Sequence, residues 1–473
     1  MKIKICSFIC AICMIFSCSF LFSSCNINEE SGIESARIND DGELILTYRD
    51  GTKQNLGVVV GRDGADGEDG SDGIDGVDGV DGANGVDGVD GINGIDGING
   101  TDGSSGSVVI MGDGSNVPAA SAKGLRSAVS VVCNFTMTVQ SPSYRPGSSG
   151  TKKQEYSSAG SGVIYQIDKE NGDAFIITNY HVVYDASSDS EDGISEDISV
   201  YLYGSEIDGK AISATYVGGS LYYDIAVLCI EESQVLRESD ACMVEVDNSD
   251  LVVVGESAIA IGNAQGYGIS ASFGVVSVDS EYIVMTAADG KTEVSFRVMR
   301  VDTAVNSGNS GGGLYNESGK LIGIVNAKIV DDGVENIGYA IPSNVAVAVA
   351  NNIIDYCYEK DCSSVQRALL GVTVVASDSR AVYNAETGLI EIKETVSVHE
   401  VSEDSIANGV FESGDVLVSA KIGDVDKKIT RQYHVIDLML EARVNDEIIF
   451  TIIRDGKEIN LLVTVTEGCI TSY

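Results

Sequence analysis

Three residue types held far apart in the chain could together perform nucleophilic catalysis. Ser310 lies in Gly308-Asn309-Ser310-Gly311-Gly312. A serine hydroxyl is a weak nucleophile until a neighbouring base removes its proton and amides receive the oxyanion forming on the attacked carbonyl. The glycines around Ser310 leave its backbone open to close approach by such a carbonyl. His181 is the only histidine before the C-terminal region, where His399 and His434 lie, so it is the one candidate base in its part of the chain. Asp224 opens Asp224-Ile225-Ala226-Val227-Leu228 and could orient the imidazole. A glycine-rich turn, a strand-end histidine and a turn aspartate each have ordinary structural explanations. Their joint presence, in the order histidine, aspartate, serine, points to acyl transfer.

The elements that must hold these residues read as short strands. Ala174-Phe175-Ile176-Ile177-Thr178 is an apolar strand that breaks before Asn179-Tyr180-His181, and Leu321-Ile322-Gly323-Ile324-Val325 follows the serine loop at strand length. From about Ala128 the pattern continues through Ser130–Phe135, Gly162–Tyr165, Ser199–Tyr203, Ala258–Gly262 and Gly274–Val278. Many short strands at this spacing predict an all-β barrel fold. A helix is expected over Val345–Tyr356, with Ser343 or Asn344 as its N-cap.

Four motifs carry a resemblance: Thr178-Asn179-Tyr180-His181-Val182-Val183, Asp224-Ile225-Ala226-Val227-Leu228, Gly308-Asn309-Ser310-Gly311-Gly312 and Ile337-Gly338-Tyr339-Ala340-Ile341-Pro342. In this order they resemble the HtrA (DegP-like) serine proteases over roughly residues 125–470. The resemblance implies a mainly β chain: a chymotrypsin-like double β-barrel protease domain over 128–360 and a PDZ domain over 363–470. It implies Ser310 as nucleophile, His181 as base and Asp224 as its orienting acid. It also implies an oxyanion hole from the amides of Gly308 and Ser310, with Asn309 between them. Ala304, six residues before the nucleophile, would form the base of the substrate pocket, and Val325, Asn326 and Ala327 its opposite wall. A small uncharged base implies cleavage after Val, Ala, Ile or similar residues rather than after Arg. Leu369-Leu370-Gly371-Val372 would form the carboxylate-binding loop of the PDZ domain, with a helix over Tyr433–Arg443 walling its groove and His434 near the helix start. Two residues depart from the family: Gly313 stands where proline is usual, and Tyr180 where many members have a smaller residue. The implied substrates are unfolded or damaged exported proteins, with peptide C-termini as PDZ ligands, a homotrimeric assembly, and neither cofactor nor metal. Two alternatives remain beside this one: a surface binding or adhesion protein that keeps an inactive protease fold, and a narrow-specificity processing protease.

The N-terminal part has a different character. Of 473 residues the formal net charge is -41, which argues against nucleic-acid partners because phosphates need a basic surface. Lys2 and Lys4 precede an apolar run from Ile5 to Phe22 and then Ser23-Ser24-Cys25. This reads as an export signal over residues 1–25. It resembles a bacterial lipoprotein signal with Cys25 as the lipidated residue, placing the rest outside the cytoplasm on a membrane anchor; an uncleaved anchor is the alternative. Five of the eleven cysteines fall in this signal, and the others show no C-x-x-C spacing, so a zinc site is not expected. Cys357 and Cys362 are close enough in sequence to pair. Residues 26–60 read as a small β-meander with turns at Asp41-Gly42 and Asp50-Gly51. From Gly61 to Gly106 glycine recurs at every third position, the period of a collagen-like stalk, and residues 107–127 read as a linker. The repeat has no proline and many aspartates, so it forms either a triple helix weakened by repulsion or a polyanionic spacer. Wound, it would reach on the order of 140 Å at about 3.1 Å per residue.

Overall fold

In the computed structural model of the chain, residues 33–38, 43–48, 51–58, 116–141, 150–205, 209–327, 337–358, 360, 364–385 and 387–473 are described. The signal with Cys25, the Gly-X-Y repeat, residues 107–115 and Cys362 lie outside them. The chain divides into two compact units, Met1–Asn99 and Gly100–Tyr473. In the first, β1 (Ile33–Ile38), β2 (Glu43–Tyr48) and β3 (Lys53–Val58) pair antiparallel in sequence order, the meander the two Asp-Gly pairs predict. Gly51 adopts a φ of 82°, the left-handed backbone that a tight turn requires.

The second unit begins with a correction to the linker expectation. Helix α1 spans Val117–Ser127, with a proline in its first turn and Ala120, Gly124 and Ser127 buried. Its small residues look like spacer in the sequence, but they form the contact face. A Cβ on Gly124 would lie 2.5 Å from the Ile261 side chain.

Two six-stranded barrels follow. The first contains β4 (Ala128–Ser141), β5 (Gly150–Asp168), β6 (Asp173–Thr178), the one-turn helix α2 (Tyr180–Val183), β7 (Asp197–Leu202), β8 (Ile212–Ser220) and β9 (Ile225–Ile230). The short helix α3 (Gln234–Glu238) comes after them. The second contains β10 (Ser257–Gly262), β11 (Ser270–Thr286), β12 (Glu293–Val301), β13 (Gly313–Tyr315), β14 (Leu321–Asn326) and β15 (Gly338–Pro342). The first closes in the order β4-β5-β6-β9-β8-β7 and the second as β10-β11-β12-β15-β14-β13. The two connectivities are therefore the same. Strand β9 is buried at every position. Period-2 alternation sends Ala226, Leu228 and Ile230 into the first barrel's core and Ile225 and Val227 into a second cluster. That second cluster joins Ile177 and Ile225 of the first barrel to Ile259, Ile261 and Tyr315 of the second.

Helix α4 (Ser343–Cys357) packs on this shared cluster through Val345, Val349 and Ile353. Neither Ser343 nor Asn344 caps it as expected. Pro342 is the N-cap residue and no side chain caps the helix. The Ser343 hydroxyl instead donates to the Asp247 carbonyl at 2.8 Å.

The C-terminal part comprises β16 (Gln366–Ala368), β17 (Val372–Asn384), β18 (Leu389–Val401), β19 (Val416–Ile422), β20 (Val425–Lys428), helix α5 (Tyr433–Glu441), β21 (Glu447–Arg454), β22 (Lys457–Thr464) and β23 (Ile470–Ser472). Its main sheet runs β17-β18-β19-β21-β22, with β17 at an edge, and its core gathers Val396, Leu417, Leu438, Met439 and Phe450. Helix α5 docks on the second barrel. Arg297 of β12, 4% exposed, donates to Asp437 at 2.5 Å and to Asp250 at 2.7 Å, and its guanidinium lies 3.8 Å from the centroid of the Tyr433 ring. Arg431 reaches Asp279 of β11 at 3.0 Å.

Candidate active site

Sheet register brings the histidine and the aspartate together. Thr178, the last residue of β6, pairs with Ala226 near the start of β9. His181 follows Thr178 by three residues and Asp224 precedes Ala226 by two, so both emerge at one end of the same ladder. Asp224 turns the chain into β9 with a φ of 49°, a left-handed conformation that aspartate tolerates better than most residues. Its backbone carbonyl accepts the Asn179 side-chain amide at 2.8 Å.

Asp224 is 6% exposed, and its carboxylate collects three donors. Oδ1 accepts the backbone N–H of His181 at 3.0 Å, and Oδ2 accepts His181 Nδ1 at 2.7 Å. An ionised carboxylate can only accept, so Nδ1 carries the proton and the Nε2 lone pair is left to act as a base. The third donor is Asn326 Nδ2, 2.7 Å from Oδ2. Behind the histidine, Tyr180 stacks on Tyr184 with ring centroids 5.2 Å apart, and burial pushes its hydroxyl up to about 12.

Ser310 sits on the second barrel, in the loop between β12 and β13. Gly308 has a φ of 94°, and a Cβ there would lie 2.3 Å from the Asn263 carbonyl oxygen. Only glycine fits such a position. Ser161 of β5 ties the loop to the first barrel. Its N–H donates to the Ser310 carbonyl at 2.8 Å, its hydroxyl donates to the Gly308 carbonyl at 2.7 Å, and that hydroxyl accepts the N–H of Asn263 at 2.7 Å. With Gly308 O occupied in this way, the N–H groups of Gly308 and Ser310 make no hydrogen bond among the described residues. Two unengaged amides beside a serine hydroxyl are the donors an oxyanion needs.

The Ser310 hydroxyl accepts the backbone N–H of Ala327 at 3.2 Å. Among the described residues no hydrogen bond links it to His181. Hydrogen bonds of this kind commonly tighten only when substrate is bound.

The expected pocket residues separate into different roles. Ala304 is exposed, and its carbonyl accepts the Ser272 hydroxyl at 3.0 Å. Ala327 is half-buried beside Ser310. The Val325 side chain is packed into the second barrel's core, and its carbonyl accepts the N–H of Gly311 at 3.0 Å. Asn326 is fully buried against Asp224. Sequence reasoning missed Ser161 altogether; the only signal was a serine between Gly160 and Gly162, which lies inside β5. Asn309 is buried, with Nδ2 3.4 Å from the Ala304 carbonyl.

The C-terminal loop has its own arrangement of amides. Gly371 turns with a φ of 80°, and its carbonyl accepts the N–H of Ser402 at 2.8 Å. The N–H groups of Leu370 and Gly371 make no hydrogen bond among the described residues, while Leu369 N–H donates to Cys469 O at 2.8 Å. Val372 begins β17. His434 is half-buried, with Nδ1 accepting the N–H of Thr430 at 3.2 Å, and desolvation pushes it down to about 4.

Comparison with known proteins gives two family matches. Residues 160–324 match the trypsin-like peptidase domain, and residues 57–113 match the collagen triple helix repeat. The serine protease Do-like HtrA of Bacillus subtilis (strain 168) is 32% identical over 342 residues, covering 71% of this chain and 69% of that protein. The protein of the same name from Lactococcus lactis subsp. cremoris (strain MG1363) is 32% identical over 372 residues, covering 75% of this chain and 83% of its own length. Among solved structures, the HtrA-type protease AlgW with decapeptide aligns at 26% identity over 73% of this chain and 97% of that chain, with a TM-score of 0.45.

Proposed function

The chain belongs to the Do-like HtrA family of serine proteases, and from that premise we propose that Ser310, His181 and Asp224 are its catalytic triad. The protein is a serine endopeptidase. His181 Nε2 takes the proton of the Ser310 hydroxyl as its oxygen attacks a peptide carbonyl. Asp224 keeps the proton on Nδ1 and stabilises the imidazolium that forms. The amides of Gly308 and Ser310 receive the oxyanion, and one such donor is typically worth about 3 kcal/mol in the transition state. His181 then passes its proton to the leaving amine, and water cleaves the acyl-enzyme. The observation that carries this reading is the 2.7 Å contact between His181 and Asp224 beside a serine loop whose two amides are unengaged.

The neutral, exposed Ala304 and the small Ala327 favour cleavage after Val, Ala or Ile. The unengaged amides of Leu370 and Gly371 at the entry of edge strand β17 suit a terminal carboxylate, with the peptide adding as a further strand. We assign this part, residues 363–470, to a PDZ domain that takes exposed C-termini. Unfolded exported proteins present both an extended backbone and accessible ends, and are the proposed substrates. Cys25 would anchor the chain to the outer side of the cell membrane, and the collagen-like repeat would join three chains. Incubating the full chain with unfolded casein and sequencing the new termini tests the activity assignment. Termini following small apolar residues are expected; cuts predominantly after Arg would contradict the pocket assignment. Sedimentation of a monomer would contradict the trimer.

A further inference from the structure

We propose that Gln432 is a built-in plug of the peptide groove, occupying the hydrogen-bonding position that a bound C-terminus must take. This rests on the groove assignment above. Val398 of β18 directs both its backbone groups toward β19 and the turn preceding it: its N–H donates to Asp415 O at 2.9 Å and its carbonyl accepts Gly414 N–H at 2.8 Å. Val374 is its partner on β17, so this is a non-hydrogen-bonded pair and the carbonyl of Val374 faces the free edge of the sheet. That edge is where an added strand would donate an N–H. In the structure the position is filled from across the groove: Gln432 Nε2, at the N-cap of α5, donates to Val374 O at 3.0 Å.

The plug is held in place. The backbone N–H of Gln432 donates to Glu394 Oε2 at 3.0 Å, and Glu394 lies 3.5 Å from the guanidinium of Arg431. Arg431 is in turn bound to Asp279, and Tyr433 lies against Arg297. The start of α5 is therefore fixed on both sides of Gln432, and only its side chain must move to admit a strand. A ligand with its carboxylate on the Leu370 and Gly371 amides advances along β17 by two residues for each outward-facing group. Its third residue from the C-terminus then meets Val374. The terminal residue can bind with the plug in place, whereas longer engagement competes with an intramolecular hydrogen bond. The plug thus sets a threshold: a chain end that reaches Val374 must first displace the Gln432 side chain.

The test measures fluorescence anisotropy of labelled heptapeptides ending in valine, with a free C-terminal carboxylate, on the full chain carrying Ser310→Ala so that the probe survives. Gln432→Met keeps the length of the side chain and removes its donors; Gln432→Ala removes both. Both variants should bind the peptide about 3- to 10-fold more tightly, the range expected for release of one competing hydrogen bond. The gain should vanish for a peptide N-methylated at its third residue from the C-terminus, which cannot donate to Val374. Unchanged or weaker binding in both variants, or a gain that persists with the N-methylated peptide, would overturn the plug. If neither the parent nor the variants distinguish free carboxylates from C-terminal amides, the groove assignment itself fails and the plug fails with it.

Discussion

The two barrels have one connectivity and position their functional groups in opposite ways. The first uses strand register: β6 and β9 are neighbours, so His181 and Asp224 meet wherever the ladder forms. The second uses a loop. Ser310 depends on left-handed backbone at Gly308 and Gly311 and on two hydrogen bonds donated to its loop by a single serine of the other barrel, whose hydroxyl also accepts the N–H of Asn263. A ladder is maintained by many equivalent bonds, and a loop by a few particular ones. The C-terminal part touches both barrels: Arg297, on the strand that leads into Ala304 and Ser310, donates to Asp437, and Arg367 donates to Tyr223 of the first barrel at 2.9 Å. By the contrast of ladder and loop, the first barrel should be the fixed half of the site and the second the adjustable half.

The largest effect should show that the halves work as a unit. Ser310→Ala and His181→Ala should each lower kcat by about four to six orders of magnitude, and the double variant should be no slower than the worse single one. Additive losses in casein turnover would mean that the two barrels contribute separately. Next comes the loop. Gly308→Ala places a Cβ against the Asn263 carbonyl and should reduce kcat by about 10²- to 10³-fold with little change in KM, because the oxyanion donors shift. A change of comparable size in stability rather than kcat would show the loop to be merely structural. Asn326→Leu removes the second barrel's only hydrogen bond to Asp224 among the described residues and should cost about 10- to 100-fold in kcat. Full activity in that variant would make the first barrel self-sufficient in orienting its base.

The smallest effect concerns the docking helix. Burial, against the pull of Asp250, holds His434 near 4, so as pH falls from about 6.5 to about 4 the unfolded chain takes up a proton that the folded chain refuses, and stability drops. Burial also pushes Asp437 up to about 6, against the opposing charge of Arg297. Between about pH 6 and 4 the folded chain then takes up the proton first, and stability rises as pH falls. The two trends oppose each other. Asp437→Asn should expose the acid-side loss from His434, and His434→Gln the acid-side gain from Asp437, each on the order of 2 kcal/mol in denaturant titrations at pH 6 and pH 4. Parallel pH curves for both variants and the parent would remove these groups from the account.

Most of the barrel architecture was legible because short apolar runs with turn residues between them leave few alternatives to closed β-sheets. His181 and Asp224 were legible as candidates for a related reason, each at the mouth of a strand whose apolar run announces it, and Ser310 because glycines flank it. Helix α1 was not legible, since alanine, serine and glycine resemble a spacer unless the surface they approach is known. Ser161 and the role of Asn326 were hidden because both act through contacts between residues more than a hundred positions apart. The orientation of Val325 was misjudged for a simpler reason. On a fully buried strand, alternation alone does not say which side faces the cleft.

The most direct test treats the full chain with a fluorophosphonate probe and locates the adduct by mass spectrometry, beside Ser310→Ala and His181→Ala. A stoichiometric adduct on Ser310, absent from the first variant and slowed by orders of magnitude in the second, is the predicted result. An adduct on another residue, or labelling of Ser310 at an unchanged rate without His181, would contradict a triad assembled from the two barrels.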